Sequence, residues 1–209
     1  MVKSLRLDHK GGFYLYRVHD LKLKKINDFA QLKDYLFSIF EYCPTHYFNS
    51  GPRSSALKFD MPINLVVVKN HEISALVKHG LERNGSNRHL KVQTFMLGQD
   101  NNTIATEVPI WLLPQELQNF EGIFNSKEPL TGHIDILWIE NGKVYILDYK
   151  PNADKEIYAA TQVFFYALML SKRTGLALDN FICGYFDENT VYLFKPEEKA
   201  LLLQQKLVT

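Results

Sequence analysis

The chain has 209 residues, of which 46% are hydrophobic and 22% are charged, and its formal net charge of +1 excludes a globally basic, histone-like chain. Its two cysteines, Cys43 and Cys183, exclude a disulfide framework and a four-cysteine iron–sulfur cluster within one chain. No apolar run is long enough for a membrane span and no basic–apolar leader precedes the fold, so we expect a cytoplasmic protein.

The first 60 residues are predicted to form an N-terminal elaboration made of a strand and a helix. Phe13–Val18 is rich in aromatic and β-branched residues, which favours a strand. Apolar residues recur at helical spacing over Asp28–Tyr42, and Asp28 is a plausible N-cap. Residues 61–209 are assigned to the main domain.

The middle of the chain is predicted to alternate between helices and strands. Ile63–Val68 has the composition of a strand, but the segment up to Gly85 also fits one helix, and we assign a helix only from about Asn70 to Glu82. The remaining predicted elements are a hairpin of Lys91–Leu97 with Thr103–Trp111 across residues 100–102, followed by a weak helix at Pro114–Phe124.

The C-terminal third has the clearest pattern. A long helix is predicted over about Lys155–Arg173, with Gly175 as its C-terminal stop. Phe181–Phe186 and Val191–Phe194 are predicted to form a hairpin, and Glu197–Lys206 a terminal helix. Strands, a crossing helix and further strands predict an α/β fold with a central mixed sheet flanked by helices.

A second hairpin is predicted around Asn141-Gly142, because Asn-Gly between two apolar runs is typical of a type I′ turn. With these two residues in the turn, Glu140 faces Lys143. Counting along the strands then places Asp135 opposite Asp148, and His133 opposite Lys150. Side chains that face each other in this way lie about 5 Å apart at Cβ, where like charges repel.

The neighbours of these acids are apolar on both faces of the hairpin, which is typical of strands covered on both sides. Asp and Lys are rarely buried unless they are paired or bind a metal. Solvated aspartates on an open hairpin are therefore the weaker interpretation. A divalent cation with oxygen ligands between the two acids is the stronger one.

Three short motifs carry a resemblance to a known family. They are Gly132-His-Ile-Asp135, Asp148-Tyr149-Lys150, and the Gln162 to Tyr166 segment of the long helix. In this order they resemble the PD-(D/E)xK nuclease superfamily, and within it the RecB-like branch that includes the CRISPR-associated exonucleases. The resemblance covers about residues 105–195 and implies a restriction-endonuclease-like core. Unlike several of those exonucleases, this chain lacks the four cysteines of an iron–sulfur cluster.

The resemblance implies roles for the residues of the hairpin. Asp135 and Asp148 would bind Mg²⁺ or Mn²⁺, with the backbone carbonyl of Tyr149 as a further ligand. Lys150 would orient the attacking water or stabilise negative charge on the phosphate. Hydrolysis of a phosphodiester needs both a nucleophilic hydroxide and a means of offsetting that charge, and a metal with a lysine provides both.

Further residues are candidates by the same resemblance. Glu107, in Glu107-Val-Pro, is a possible third metal ligand, although an exposed strand glutamate fits equally well. A histidine on a helix before the core is expected, and His71 matches better than His79, although a structural histidine is the commoner case. Gln162 and Tyr166 share one helical face. They would contact the nucleic acid, or Tyr166 would be a core aromatic residue.

The leading hypothesis is therefore a metal-dependent deoxyribonuclease whose partner is single- or double-stranded DNA. A non-catalytic nucleic-acid-binding or scaffolding module of the same fold is the alternative from another class. A nuclease that acts on RNA is the third hypothesis, because metal and phosphate chemistry is common to both nucleic acids. The intact set of two acids and a lysine favours catalysis.

Overall fold

A computed structural model describes residues 1–10, 12–24 and 26–201. The strands are β1 (Val2–His9), β2 (Gly12–His19), β3 (Val66–Lys69), β4 (Thr103–Leu112), β5 (Leu130–Glu140), β6 (Lys143–Tyr149), β7 (Phe181–Phe186) and β8 (Thr190–Phe194). The helices are α1 (Asp20–Lys24), α2 (Ala30–Glu41), α3 (Tyr47–Ser50), α4 (Glu72–Leu81), α5 (Arg88–Gln99), α6 (Phe120–Phe124) and α7 (Ala159–Thr174). No helix among the described residues has the length and apolar content needed to cross a membrane.

The strands form one mixed sheet in the order β1-β2-β4-β5-β6-β7-β8-β3 within the described residues. Neighbouring strands are antiparallel except for β6 and β7, which are parallel and joined through α7. A parallel pair needs such a crossover connection. This arrangement confirms the predicted α/β class and the mixed sheet. The N-terminal hairpin of β1 and β2 continues the same sheet, since Arg17 pairs with Thr106 of β4.

The sheet is covered on both faces by apolar side chains. On one face, Leu137 and Ile146 pack with the buried residues of α7. On the other face, Ile136, Trp138 and Leu147 pack with residues of α4 and α5 such as Val77 and Val92. The central strands are therefore buried on both sides, as the apolar neighbours of the two acids predicted.

The Asn-Gly turn is confirmed. Asn141 and Gly142 have φ angles of 48° and 68°, as a type I′ turn requires, and Glu140 pairs with Lys143. The regular ladder ends at the pair Ile136–Leu147, one step before the two acids. Beyond it, the predicted pairing of His133 with Lys150 is not found, because the Tyr149 N–H, which would continue the ladder to β5, donates to the Asp135 side chain instead.

The predicted strand Lys91–Leu97 is wrong, and with it the predicted hairpin to β4. The segment is helix α5, and the side chain of Asn87 caps it by accepting a hydrogen bond from the Leu90 N–H at 3.0 Å. Its buried positions, Val92, Gln93, Met96 and Leu97, follow helical spacing. Burial against the sheet decides the structure here over the β-forming residues in the segment.

Several predicted boundaries also need correction. Asp28 is not an N-cap: α2 begins at Ala30, and its cap position, Phe29, makes no side-chain capping bond. The predicted helix at Pro114–Phe124 is two short pieces, a 3₁₀ turn at Pro114–Glu116 and α6, separated by Asn119 in a left-handed conformation.

The other helices are closer to their predicted bounds. The predicted Asn70–Glu82 helix is α4, and the strand-like residues before it include β3. Helix α7 begins at Ala159 rather than Lys155, and ends at Gly175, which has a φ of 75°. The predicted terminal helix is seen at residues 198–201, and residues 202–206 of it lie outside the described part.

A buried histidine pair connects β1 to β5. His9 Nδ1 lies 2.8 Å from His133 Nε2, so one ring donates and the other accepts. The ring of Tyr14 stacks on His133, and that of Phe48 stacks on His9. Burial and the nearby Arg53 together lower the pKa of His9 to about 4, and burial, His9 and Arg53 lower that of His133 well below its ordinary value.

We expect this pair to make the protein less stable in acid. Between pH 6.5 and pH 4, an unfolded chain protonates His9 while the folded chain does not. The free energy of unfolding should therefore fall as the pH falls through this window, by up to about 3 kcal/mol from His9. Urea unfolding of the parent and of His9→Phe at pH 7 and pH 4.5 measures this. His79→Gln, which replaces an exposed imidazole, is the control, and equal acid sensitivity in parent and His9→Phe would contradict the expectation.

Candidate active site

Asp148 and Lys150, at the end of β6, form an ion pair. Lys150 Nζ lies 2.7 Å from Asp148 Oδ2, and Asp148 is only 2% exposed. Its other oxygen, Oδ1, accepts a hydrogen bond from Gln162 Nε2 at 3.1 Å. Burial lowers the pKa of Lys150, but Asp148 and Asp135 more than offset this, so that its pKa is raised overall. The two carboxylates therefore favour the charged form of Lys150.

Asp135 lies on β5, immediately beyond the last backbone pair with β6. Its Oδ2 accepts the Tyr149 N–H at 3.0 Å, so a side chain replaces the backbone partner at this point. Burial raises the pKa of Asp135 well above its ordinary value, and the negative charges of Asp148 and Glu107 raise it further. The structure thus brings the two acids together at the end of the hairpin.

Glu107 lies on β4 between two residues that pair with β5, Thr106 with Ile136 and Val108 with Ile134. It is therefore across from Asp135. Its φ is 52°, a left-handed conformation that costs an L-residue in a strand about 1–2 kcal/mol. Burial raises the pKa of Glu107, as does Asp148. Such local strain is often found at functional sites.

Gln162 and Tyr166 of α7 lie against the acids. Gln162 Nε2 is 2.7 Å from the Tyr166 hydroxyl as well as 3.1 Å from Asp148. Both side chains are buried. The ring of Tyr166 lies directly on Gly132 of β5, where an added Cβ would be 2.4 Å from Tyr166 Cε1. The glycine of the Gly132 motif therefore allows α7 to approach the sheet.

His71 and His79 are not brought to the acids. His71 is the N-cap of α4, where its Nδ1 accepts the Ile73 N–H at 3.2 Å. His79 is 63% exposed and lies 3.7 Å from Glu82. The histidine beside the site is His89 of α5, whose Nε2 lies 4.0 Å from Asp135 Oδ2. Burial lowers the pKa of His89.

The prediction from sequence missed both His89 and Gln93, because it assigned Gln93 to the strand Lys91–Leu97 and placed His89 in no element. Gln93 Nε2 donates to Glu107 Oε1 at 2.7 Å. The signal was present: with Asn87 as a cap, His89 and Gln93 are four residues apart and share one helical face. Their helix lies on the side of the sheet opposite to α7.

The donor set suits a hard divalent cation, since it consists of carboxylate oxygens. Asp148 Oδ2 is buried, and its one partner among the described residues is the ammonium of Lys150 at 2.7 Å. Asp148 raises the pKa of both Asp135 and Glu107, and Glu107 raises that of Asp135, a repulsion that a cation would relieve. Residues 1–10, 12–24 and 26–201 contain no cluster of three His, Cys, Asp or Glu side chains already arranged around one point. Each acid instead has a partner within the protein: Lys150 pairs with Asp148, the Tyr149 N–H donates to Asp135, and Gln93 donates to Glu107.

A polar groove begins at Lys150. It has a volume of about 250 Å³ and is also lined by Lys58, Lys155, Tyr158 and Gln162. Lys58 Nζ lies 5.5 Å from the centre of the Tyr158 ring. Three lysines against one carboxylate, Glu156, give the groove a net positive charge, and with the aromatic ring this suits a phosphate backbone.

Comparison with known proteins agrees with the motifs. A family model described as the PD-(D/E)XK nuclease superfamily matches residues 69–206. A comparison with curated proteins found no match. Among solved structures, the chain is similar to SSO0001, with 12% sequence identity and a TM-score of 0.39 over 86% of this chain and 83% of that one. A likeness of this size supports no conclusion about function.

Proposed function

We propose that this chain, which belongs to the PD-(D/E)XK nuclease superfamily, is a metal-dependent nuclease that hydrolyses phosphodiester bonds in DNA. The observation that carries the proposal is the convergence of Asp135, Asp148 and Glu107, with the cationic Lys150 paired to Asp148. Four ionisable side chains from three neighbouring strands meet at one end of a buried sheet. A fold does not gain stability from such a cluster of acids.

Asp135, Asp148 and Glu107 are the residues that would hold Mg²⁺ or Mn²⁺. Strand alternation directs the Tyr149 carbonyl toward β5, because the Lys150 N–H bonds to β7, and this carbonyl is a fourth oxygen donor. His89, at 4.0 Å from Asp135, is the nitrogen donor that replaces His71 in our proposal. The bound metal would supply a water of lowered pKa and polarise the phosphoryl oxygen.

The protein's own groups supply the rest of the chemistry. Lys150 keeps its proton and provides a fixed positive charge that stabilises negative charge developing on the phosphate. Gln162 holds Asp148 through Oδ1, and Oδ2, which is paired with Lys150, is the oxygen that a cation would share with this lysine. Tyr166 is buried and supports Gln162, so we propose that it orients the site and does not contact the nucleic acid.

The finer assignments belong to the same proposal. Glu107-Val-Pro and Gln162–Tyr166 support the RecB-like branch. With two cysteines in the chain, we propose no iron–sulfur cluster. The division at residue 60 and a cytoplasmic location stay predictions.

Incubation of the pure protein with single- and double-stranded DNA and with RNA, in Mn²⁺, Mg²⁺ or EDTA, tests the activity. We expect DNA cleavage with either metal and none in EDTA. If RNA is cleaved and DNA is not, the substrate is RNA rather than DNA. Binding without cleavage in all metals would favour the non-catalytic module.

The groove leads to a separate prediction about binding. Replacing both Lys58 and Lys155 with Ala should weaken DNA binding and reduce the slope of log K against log salt by about 1.5, since two phosphate contacts are lost. Fluorescence anisotropy over a salt series, in the Asp148→Asn background to prevent cleavage, measures this. Lys78→Ala with Lys127→Ala removes the same charge at exposed sites outside the groove. If this control changes DNA binding and its salt dependence equally, binding depends on net charge and not on the groove.

A further inference from the structure

Arg17 of β2 is a buried cation. In the described part of the chain, all of its hydrogen bonds go to neutral oxygens. Its exposure is 7%. Nε donates to Thr106 Oγ1 at 3.2 Å, Nη1 to Thr94 Oγ1 at 2.7 Å, and Nη2 to Gln93 Oε1 at 3.3 Å. A buried charge without a direct counter-charge is costly, which indicates a role other than stability.

Gln93 connects this cation to the carboxylate of Glu107. Its Oε1 accepts from Arg17 and its Nε2 donates to Glu107 Oε1 at 2.7 Å. The amide orientation is fixed by these partners, because a guanidinium can only donate and a carboxylate can only accept. Gln93 is 2% exposed, so water does not compete for either bond.

Glu107 needs this support because its backbone is in the left-handed region. The hydrogen bond of Gln93 engages Oε1 and fixes the direction of the side chain. Oε2, for which no hydrogen bond is found in the described part of the chain, is the oxygen left for a cation.

We propose that Arg17 and Gln93 are positioning residues that hold Glu107 as a metal ligand, with Arg17 acting through the amide of Gln93. The inference rests on the proposed function and deepens it, because it makes the N-terminal hairpin a part of the metal site. Residues that orient a ligand in this way typically change metal affinity by 10- to 100-fold when they are replaced.

Gln93→Met tests the proposal, since it keeps the length of the side chain and removes both hydrogen bonds. We expect Mn²⁺ binding, measured by titration calorimetry, to weaken 10- to 100-fold. We expect kcat at limiting Mn²⁺ to fall while the KM for DNA is unchanged, and saturating Mn²⁺ to restore most of the loss. Arg17→Lys keeps the positive charge but removes the planar set of N–H donors, and it should lower the Mn²⁺ affinity less than Gln93→Met does.

Thr94→Val is the matched control, because it removes a hydrogen bond of Arg17 from the same helix without touching Glu107. Parental Mn²⁺ affinity in both Gln93→Met and Arg17→Lys, or an equal loss in Thr94→Val, would overturn the proposal. If Asp148→Asn also keeps the parental Mn²⁺ affinity, the proposed assignment of the metal site is wrong. If Asp148→Asn loses binding while Gln93→Met keeps it, only the positioning role is wrong.

Discussion

Asp148→Asn should reduce the cleavage rate by at least about 1000-fold, because it removes the charge of the most buried acid while keeping its shape. The amide oxygen can still accept the hydrogen bond of Gln162. Mn²⁺ affinity should fall in parallel. The rate is measured on a labelled oligonucleotide at saturating Mn²⁺, and the affinity by calorimetry.

The melting temperature of this variant should stay within a few degrees of the parent. Lys150 loses its partner at 2.7 Å, but the repulsion among Asp148, Asp135 and Glu107 is also reduced. These two changes oppose each other. Parental cleavage by the folded variant would end the proposed mechanism, whereas an unfolded variant would show that the ion pair is structural.

Gly132→Ala should lower both stability and activity. The added Cβ would be 2.4 Å from Tyr166 Cε1 and 2.7 Å from Ser54 Oγ, and the buried tyrosine has no space to move. Overpacking of this kind costs about 1–3 kcal/mol, which lowers the melting temperature of a chain of this size by about 2–12 °C. Displacement of Tyr166 also moves Gln162 away from Asp148, and we expect about 10- to 100-fold slower cleavage.

Gly98→Ala is the control for this experiment. Gly98 lies in α5, and an added Cβ there meets no atom within 4 Å. Alanine is a better helix former, so the control should be neutral or slightly more stable. Thermal unfolding by circular dichroism, with cleavage assays on both variants, makes the comparison. Equal behaviour of the two variants would mean that the glycine is not needed for the approach of α7.

Local signals in the sequence were sufficient for the hairpin that carries two of the acids. The Asn141-Gly142 turn determines its own conformation, and the apolar strands beside it determine the register. The long helix was also predictable, because Gly175 provides a local stop. These elements depend on residues close in sequence, and they position Asp135, Asp148 and Gln162.

The rest of the site depends on packing between distant segments. Residues 91–97 have β-forming composition, and burial against the sheet makes them helical, so the local signal of the Asn87 cap was too weak by itself to place His89 and Gln93. The role of Arg17 depends on β2 pairing with β4, some 90 residues away. Strand β1 was not predicted, although Leu5, Leu7 and His9 alternate with exposed polar residues, because this pattern covers only its second half.

The tight turn at Asn141-Gly142 also bears on the order in which the chain assembles. Hairpins closed by local contacts form in about 1–10 μs, whereas parallel pairing such as that of β6 with β7 must wait for a long loop to close. Two mutually repelling anions are therefore brought together early, before α7 and the remote N-terminal strands can dock. A soluble cation available at that moment would shield them and ease the first step of refolding.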